Sequence, residues 1–327
     1  MRLLIIEFVT GGGFAGGVLP ESLAAEGELM LQAVLHDLHG AAGLAVTVAR
    51  DTRLSRPPAW CEVVDVEDAP WPRWAAAVDA VDAVLPIAPE TDGLLERLNG
   101  LVVARGRQLL GCDPAAVRIA ASKTRTAAAL QRAGIEVIPT SSDASRLPAS
   151  AHGWIVKPDE GAGSEHTYHL RDAAAVRARL DSAEIAAPVV QTFVPGDPVS
   201  LSLLCAPGRV RLLGCNRQLQ TRAGDALRQS GVVVNGAIEH LAAVEPLAGR
   251  LPAALPGLLG YVGVDLIVGA DGPVVVEVNP RLTTAYAGLS ASIGYNAFEL
   301  LRRACANDAS VFDLPLERRS VEVRAHG

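Results

Sequence analysis

The sequence predicts an α/β protein in which a parallel-sheet domain precedes two units of mixed strands and helices. Three observations carry this expectation. Residues 1–110 alternate strand-like and helix-like segments, and such βαβ alternation puts helices on the faces of a parallel sheet. The chain has 327 residues, and at roughly 100–200 residues per domain two or three packed units are expected. Breaks at Cys112-Asp113-Pro114 and Pro195-Gly196 divide it into residues 1–112, 113–194 and 195–327.

The elements follow in order. Arg2–Val9 reads as a strand, Glu21–Leu38 as a helix, Leu44–Ala49 and Ala83–Ile87 as strands, and Thr91–Asn99 as a helix. A helix over Ala120–Ala133 is stopped by Gly134. Strands are expected at Glu136–Pro139, Trp154–Lys157, Val189–Val194, Ser200–Cys205, Val210–Cys215, Val262–Val268 and Val274–Val278. Helices are expected near Leu241–Leu258 and Phe298–Ala306, a loop at Gln229–Gly236, and a charged, loosely held tail after Leu314.

Composition excludes several function classes. A net charge of −7 argues against a broad nucleic-acid surface. Five cysteines without a CxxC pair argue against a disulfide framework or zinc site and fit a reduced, cytoplasmic setting. No apolar, uncharged run reaches a membrane span, and Glu7 interrupts the first apolar run before it could serve as a signal segment. Among 29 Lys+Arg only Lys123 and Lys157 are lysines. A compact ammonium differs from a guanidinium fork where a phosphate is met end-on, so both are candidates for a phosphate site.

Gly11-Gly12-Gly13-Phe14-Ala15-Gly16 matches the dinucleotide-binding GxGxxG pattern after a strand, but its context does not fit. Pro20 interrupts the approach to the helix, and the acidic residue ending the second strand, Asp51, is 35 residues past Gly16 where about 20 is expected. The segment reads instead as a substrate-facing turn.

The strongest local signal spans Val262 to Arg281. Two β-rich runs flank a Gly-Ala-Asp-Gly turn, an antiparallel hairpin pattern. Period-two alternation puts Glu277 and Asn279 on one face, with Asp265 opposite Glu277. Two carboxylates buried together require a cation, and Mg²⁺, or Mn²⁺ in its place, takes such oxygen ligands together with substrate phosphates. Arg281 lies two residues further, within reach of the same anionic site. Upstream, a strand ending at Lys157 leads into Asp159-Glu160-Gly161-Ala162-Gly163-Ser164. In such a loop the backbone N–H groups of Gly161 and Gly163 and the Ser164 hydroxyl meet phosphates, beside Lys157 and Lys123. Gln191-Thr192-Phe193-Val194 forms a hinge whose backbone can pair with an adenine edge. Asp197 is either a ribose ligand or a turn residue after Pro-Gly.

Taken together, Lys123, Lys157 with its glycine loop, the Gln191–Asp197 hinge, Asp265 and the Glu277–Arg281 run occur in an order that resembles the ATP-grasp superfamily across roughly residues 113–300. The N-terminal unit resembles the pre-ATP-grasp domain. The resemblance implies an ATP-grasp fold of two α+β subdomains gripping ATP. It also implies phosphate contacts from Lys123 and Lys157, adenine contacts from Gln191, Phe193 and Val194, a ribose contact from Asp197, and Mg²⁺ on Asp265, Glu277 and Asn279. Two positions depart from the pattern: Ser122 stands where an acidic residue is common, and Gln191 replaces the usual hinge Glu. Glu7–Phe14, Pro20–Met30, Asn216-Arg217-Gln218 and Asn279–Tyr286 further resemble the tyramine–glutamate ligase family of methanofuran biosynthesis.

That resemblance implies a ligase that activates the γ-carboxylate of glutamate as an acyl phosphate and joins it to tyramine, or to tyrosine in methylofuran-type synthesis. Lys157 and Arg281 would stabilise the transferring phosphate, and Arg217 would hold the α-carboxylate of glutamate. Small-molecule substrates are implied, without nucleic acid or membrane, and a homodimer is a compatible assembly. Another amino acid, dipeptide or peptide-tail ligase of the superfamily, and a nucleotide-binding module without catalysis, are the competing readings.

Overall fold

In the computed structural model, residues 1–143, 145–161, 166–182 and 184–324 are described. The run Leu3–Ile6 is fully buried, as a continuous apolar strand should be when both faces of its sheet are covered. It forms β1 (Arg2–Glu7), the centre of a parallel sheet completed by β2 (Ala45–Asp51), β3 (Glu62–Val66), β4 (Ala83–Ile87) and β5 (Gln108–Leu109) in the order β3-β2-β1-β4-β5. Helices α1 (Glu21–Leu38), α2 (Pro70–Asp79) and α3 (Leu94–Ala104) belong to this unit. The expected first strand ends early, at Glu7, because Val9–Gly13 coils into a π-helical turn. Gly12 has φ 92°, and a Cβ there would lie 2.4 Å from Val66, so only glycine fits. Elements β3 and α2 escape periodicity reading; α2 opens on Pro70 in its first turn, where proline is tolerated.

A second sheet follows. Helix α4 (Pro114–Ala121) stops at Ser122, whose side chain accepts from the Arg125 N–H and caps α5 (Lys123–Arg132). The single helix expected over Ala120–Ala133 is therefore two. Residues 136–139 make only a bridge, Val137 to Val275, and the strand forms afterwards as β6 (Thr140–Ser141). Then come β7 (Trp154–Pro158), β8 (Tyr168–Leu170), α6 (Ala173–Asp181) and β9 (Pro188–Thr192). The remainder builds β10 (Asp197–Ala206), β11 (Arg209–Ala223), β12 (Ala226–Val234), α7 (Leu241–Ala254), β13 (Gly260–Gly269), β14 (Gly272–Asn279), α8 (Leu289–Ile293), α9 (Ala297–Cys305) and β15 (Val321–Arg324). The strand order is β14-β13-β10-β11-β12-β8-β7-β9-β6, with β15 added to β12. Two expectations are corrected. Most of the Gln229–Gly236 segment is strand β12 rather than a loop, and the tail is tied down by β15, paired from Gly231↔Arg324 to Val234↔Val321.

Strands β7 to β9 carry their own small core of Val156, Leu170, Val176, Ile185 and Val190. Their junction with the rest of the sheet is narrow: Tyr168 pairs with Ala226, flanked by bonds from His169 N to Asp225 O and from Leu227 N to Thr167 O. A larger core joins Leu4 and Ile6 of β1 to Val117 of α4 and to Val262 and Val264 of β13. The floor of the site therefore rests on the packed body of the molecule.

Candidate functional site

The β13/β14 hairpin has the expected register. Asp265 stands opposite Glu277, and Gly263 opposite Asn279, with a bulge after Asp265. Asn279 Nδ2 donates to Asp265 Oδ2 at 3.5 Å. Burial and the neighbouring Glu277 push the Asp265 carboxyl well above the usual carboxylate range. Burial also opposes ionisation of Glu277, but the ammonium groups of Lys123 and Lys157 overcome it and hold its carboxyl low. Lys123 Nζ lies 3.5 Å and Lys157 Nζ 3.4 Å from the same oxygen, Glu277 Oε2.

Both lysines are positioned by the backbone around the end of β7. Lys157 is the penultimate residue of that strand. Two residues on, the Asp159 carbonyl accepts the Lys123 N–H at 3.1 Å. The Asp159 carboxylate accepts the Thr124 N–H and hydroxyl at 2.9 and 2.8 Å. The start of α5 is thus fastened to the end of β7, and the two ammoniums arrive together. Burial depresses the Lys157 ammonium below its ordinary range, and Lys123 adds to this while Glu277 opposes it.

A cavity runs from these charges toward the hinge. Lys123, Lys157, Gly161, Gln191, Phe193, Val194, Asp265 and Glu277 all line it, with Ile138, Ile155, Leu266 and Val276 as apolar walls. Gln191 is buried, and its Nε2 donates to Thr140 Oγ1 at 3.0 Å. The N–H groups of Thr192 and Phe193 are taken by Pro139 and Gly153; that of Val194 has no partner among the described residues. The Phe193 ring stacks on His169 at 3.9 Å and 9°. His169 is a buried residue of strand β8. Gly163 and Ser164 lie outside the described residues.

Beyond the carboxylates, a smaller polar cavity is lined by Ser200, Gln218, Gln229, Asn279, Arg281, Thr283 and Thr284. Arg281 reaches it as expected, but in a buried pair. Its Nε donates to both oxygens of Glu90 at 3.0 Å. A buried pair of this kind fixes position more dependably than it adds stability.

Two expected site residues go elsewhere. Arg217 and Asp197 lie together on the opposite face of the sheet. Arg217 pairs with Glu239 and sits 3.7 Å from Asp197, while His240 Nε2 lies 2.8 Å from Asp197. Neither lines the two cavities. The physical reason is alternation. In β10 Ser200 registers with Asp265 and Asn216, so the even positions face the site and Asp197 and Arg217 face away. The residue that faces inward is Gln218, which hydrogen-bonds Asp265 and lowers its carboxyl slightly against burial. Asn216, Gln218 and Gln220 alternate as polar residues along one strand, and that period-two pattern could have pointed to Gln218. Glu90 and Glu26 left no comparable signal, being brought in from the N-terminal unit.

The donor set fits a hard divalent cation: two adjacent half-buried carboxylates, one pushed up by burial and by its neighbour, and a neutral amide beside them. The long cavity, with apolar walls at one end and ammoniums at the other, fits a nucleotide triphosphate.

Comparison with known proteins agrees with this geometry. Residues 120–285 match the ATP-grasp domain family and residues 44–117 the pre ATP-grasp 3 domain family. The chain is similar to a tyramine–L-glutamate ligase of Methanocaldococcus jannaschii, 26% identical over 74% of this chain and 68% of that protein. A ligase of the same name from Methanocaldococcus fervens is 27% identical over 72% and 69%. Among solved structures, an ATP-grasp superfamily protein from Archaeoglobus fulgidus superposes with TM-score 0.73 at 25% identity, over 92% of this chain and 88% of that one. An L-amino acid ligase from Bacillus licheniformis, at 17% identity and TM-score 0.66 over 96% and 77%, shares the fold.

Proposed function

We propose that this chain, which belongs to the ATP-grasp family, is an ADP-forming ligase that joins the γ-carboxylate of glutamate to a tyramine- or tyrosine-like amine. The observation that carries the reading is the convergence of Lys123 and Lys157 on Glu277, opposite Asp265, where the long cavity meets the polar one. The names of the two Methanocaldococcus relatives support the choice of acid and amine. The cellular role that fits is assembly of a methanofuran- or methylofuran-type one-carbon carrier by a cytoplasmic enzyme. Residues 1–112, 113–194 and 195–327 would serve as substrate-binding domain, lid and metal-bearing base.

Asp265, Glu277 and Asn279 would hold Mg²⁺, which supplies neutralisation of the phosphate charge. Lys123 and Lys157 would meet the phosphates as point charges. The purine would lie between Ile138, Ile155 and Val276, which wall the cavity, with the Val194 N–H and Gln191 at its edge. Arg281, held by Glu90, faces the acid carboxylate in the polar cavity, and Gln218 and Thr283 provide hydrogen bonds there. Attack of the carboxylate oxygen on the γ-phosphorus breaks the bond to ADP; the amine nitrogen then displaces phosphate from the acyl carbon, leaving an amide. Positioning and fixed charge supply the catalysis.

The test is ADP release with Mg·ATP, glutamate and a panel of amines. Sustained ADP release should require both glutamate and an amine. Turnover that ignores glutamate, or none with any amine, would overturn the reading.

A further inference from the structure

The polar cavity beside Glu277 is bordered by the carboxyl groups of Glu26, Asp265 and Glu277. Among the described residues Arg281 is the one cationic side chain lining it, and Arg281 is engaged by Glu90. An anionic oxygen entering this space gains from neutral donors turned inward. A hydroxyl is such a donor only if its hydrogen faces the ligand. The Thr284 hydroxyl is already given to Glu26 at 2.9 Å. Those of Ser200 and Thr283, which also line the cavity, have no acceptor fixed for them among the described residues.

Thr283 is held in an unusual way. It stands at the N-cap of the turn Thr284–Gly288, where a threonine hydroxyl ordinarily bonds the backbone, yet its side chain makes no capping bond. A Cβ at Gly263 would lie 2.6 Å from its methyl carbon, so glycine there leaves the methyl its place. Its Oγ1 lies 2.8 Å from the Tyr261 hydroxyl. Behind Tyr261 the chain continues inward. The Tyr261 oxygen is 3.0 Å from Ser202 Oγ, and Asn216 Nδ2 donates to Ser202 Oγ at 3.0 Å and to Ser200 Oγ at 3.4 Å. Tyr261, Ser202 and Asn216 are buried.

The direction of these bonds follows from donor counting. The Asn235 N–H donates to Asn216 Oδ1 at 3.1 Å. A backbone N–H can only donate, which fixes the oxygen end of the amide, and Nδ2 gives its two hydrogens to the serines. The Ser202 hydrogen then has one acceptor left among the described residues, Tyr261. If Tyr261 donated to Ser202 instead, the Ser202 hydrogen would be buried without a partner, which is costly. Ser202 therefore donates to Tyr261 and Tyr261 to Thr283, leaving the Thr283 hydrogen for the cavity. Ser200, accepting from the amide, likewise turns its hydrogen away from Asn216.

We infer that Asn216, Ser202 and Tyr261 form a one-way hydroxyl relay that holds Thr283 and Ser200 as donors into the polar cavity, making them positioning residues for an anionic oxygen of the substrate. The identity of that substrate rests on the ligase reading above; the direction of the relay does not. Neutron diffraction from crystals of the full chain locates the hydroxyl deuterons. They should lie on Ser202 toward Tyr261 and on Tyr261 toward Thr283; a Tyr261 deuteron aimed at Ser202 overturns the inference. Calorimetry with glutamate, Mg²⁺ and a non-hydrolysable ATP analogue reads the consequence. Tyr261→Phe should weaken glutamate binding at least about tenfold, the scale of one hydrogen bond to a charged group. Affinity for the ATP analogue should stay within about twofold, as for independent sites. In a Thr283→Val background the same change should cost less than about twofold, because the relay has nothing left to act on. Equal losses in both backgrounds, or none in either, would sink the relay and leave the ligase reading in place. Deuterons placed as expected in a wild-type protein that binds no glutamate would do the reverse.

Discussion

Replacing Lys157 tests the charge arrangement most directly. Its ammonium lies 3.4 Å from Glu277 Oε2, worth about 5 kcal/mol of gross attraction at an effective dielectric near 20. Lys157→Ala removes this but leaves Lys123 at 3.5 Å from the same oxygen. The stability lost should therefore sit near the low end for breaking a buried pair, about 3 kcal/mol. Turnover should fall by more than about 100-fold, as when a contact to developing charge is removed. Lys157→Arg separates the two effects. It restores the charge and with it part of the stability, yet its fork is the wrong shape for a side chain only 9% exposed between Lys123 and Glu277. Its turnover should stay more than about 100-fold down. Denaturant midpoints and ADP release at saturating substrates read both quantities. A Lys157→Arg enzyme running near the wild-type rate would show that a point charge is not required. Near wild-type turnover by Lys157→Ala would remove Lys157 from the mechanism.

Other outcomes follow from the same geometry. Glu277→Gln should keep the fold and lose metal-dependent ATP binding by calorimetry; unchanged affinity would place the metal elsewhere. Arg217→Ala should leave the KM for glutamate unchanged and cost no more than about 1 kcal/mol, because its ion pairs are at the surface; a steep rise in that KM would return Arg217 to the site. Glu7→Gln should alter how stability depends on pH. The folded-state carboxyl is raised from 4.5 to about 7, so the group favours folding fully below pH 4.5 and loses that contribution, about 3 kcal/mol, as pH climbs to 7. The glutamine variant lacks this loss, and its advantage in Tm over wild type should grow between pH 5 and pH 8. A difference that is constant with pH would contradict the buried-acid account.

Much of the site was legible because its residues sit in strands, where alternation alone assigns faces. Asp265, Glu277 and Asn279 follow from a hairpin turn and a period of two, and the two lysines from their scarcity. Chemistry and resemblance rather than alternation assign Arg217 and Asp197 to the site, and alternation turns both away from the cavities. The charged residue drew attention where the inward neighbour was the plainer Gln218. Ser122 shows a different limit. A lone serine within an alanine-rich run reads as helix, yet its hydroxyl bonds the Arg125 N–H and begins a new one. The contributions of Glu26 and Glu90 come from packing between units more than a hundred residues apart, which no local pattern encodes.

The confinement of both lysines has a practical side. Both ε-amino groups of the chain line the long cavity beside Glu277, with Lys123 6% and Lys157 7% exposed. Acylating reagents that decorate ordinary proteins at random have no side-chain amine to find on this surface. The depressed Lys157 ammonium yields its free-base form more readily than a solvated lysine does. On the proposed function, a nucleotide bearing a reactive acyl group should act as a site-directed label, with unmodified ATP as its shield. Conversely, immobilising the protein through surface lysines is not an option, and coupling has to go through the terminal amine or a thiol such as the partly exposed Cys61.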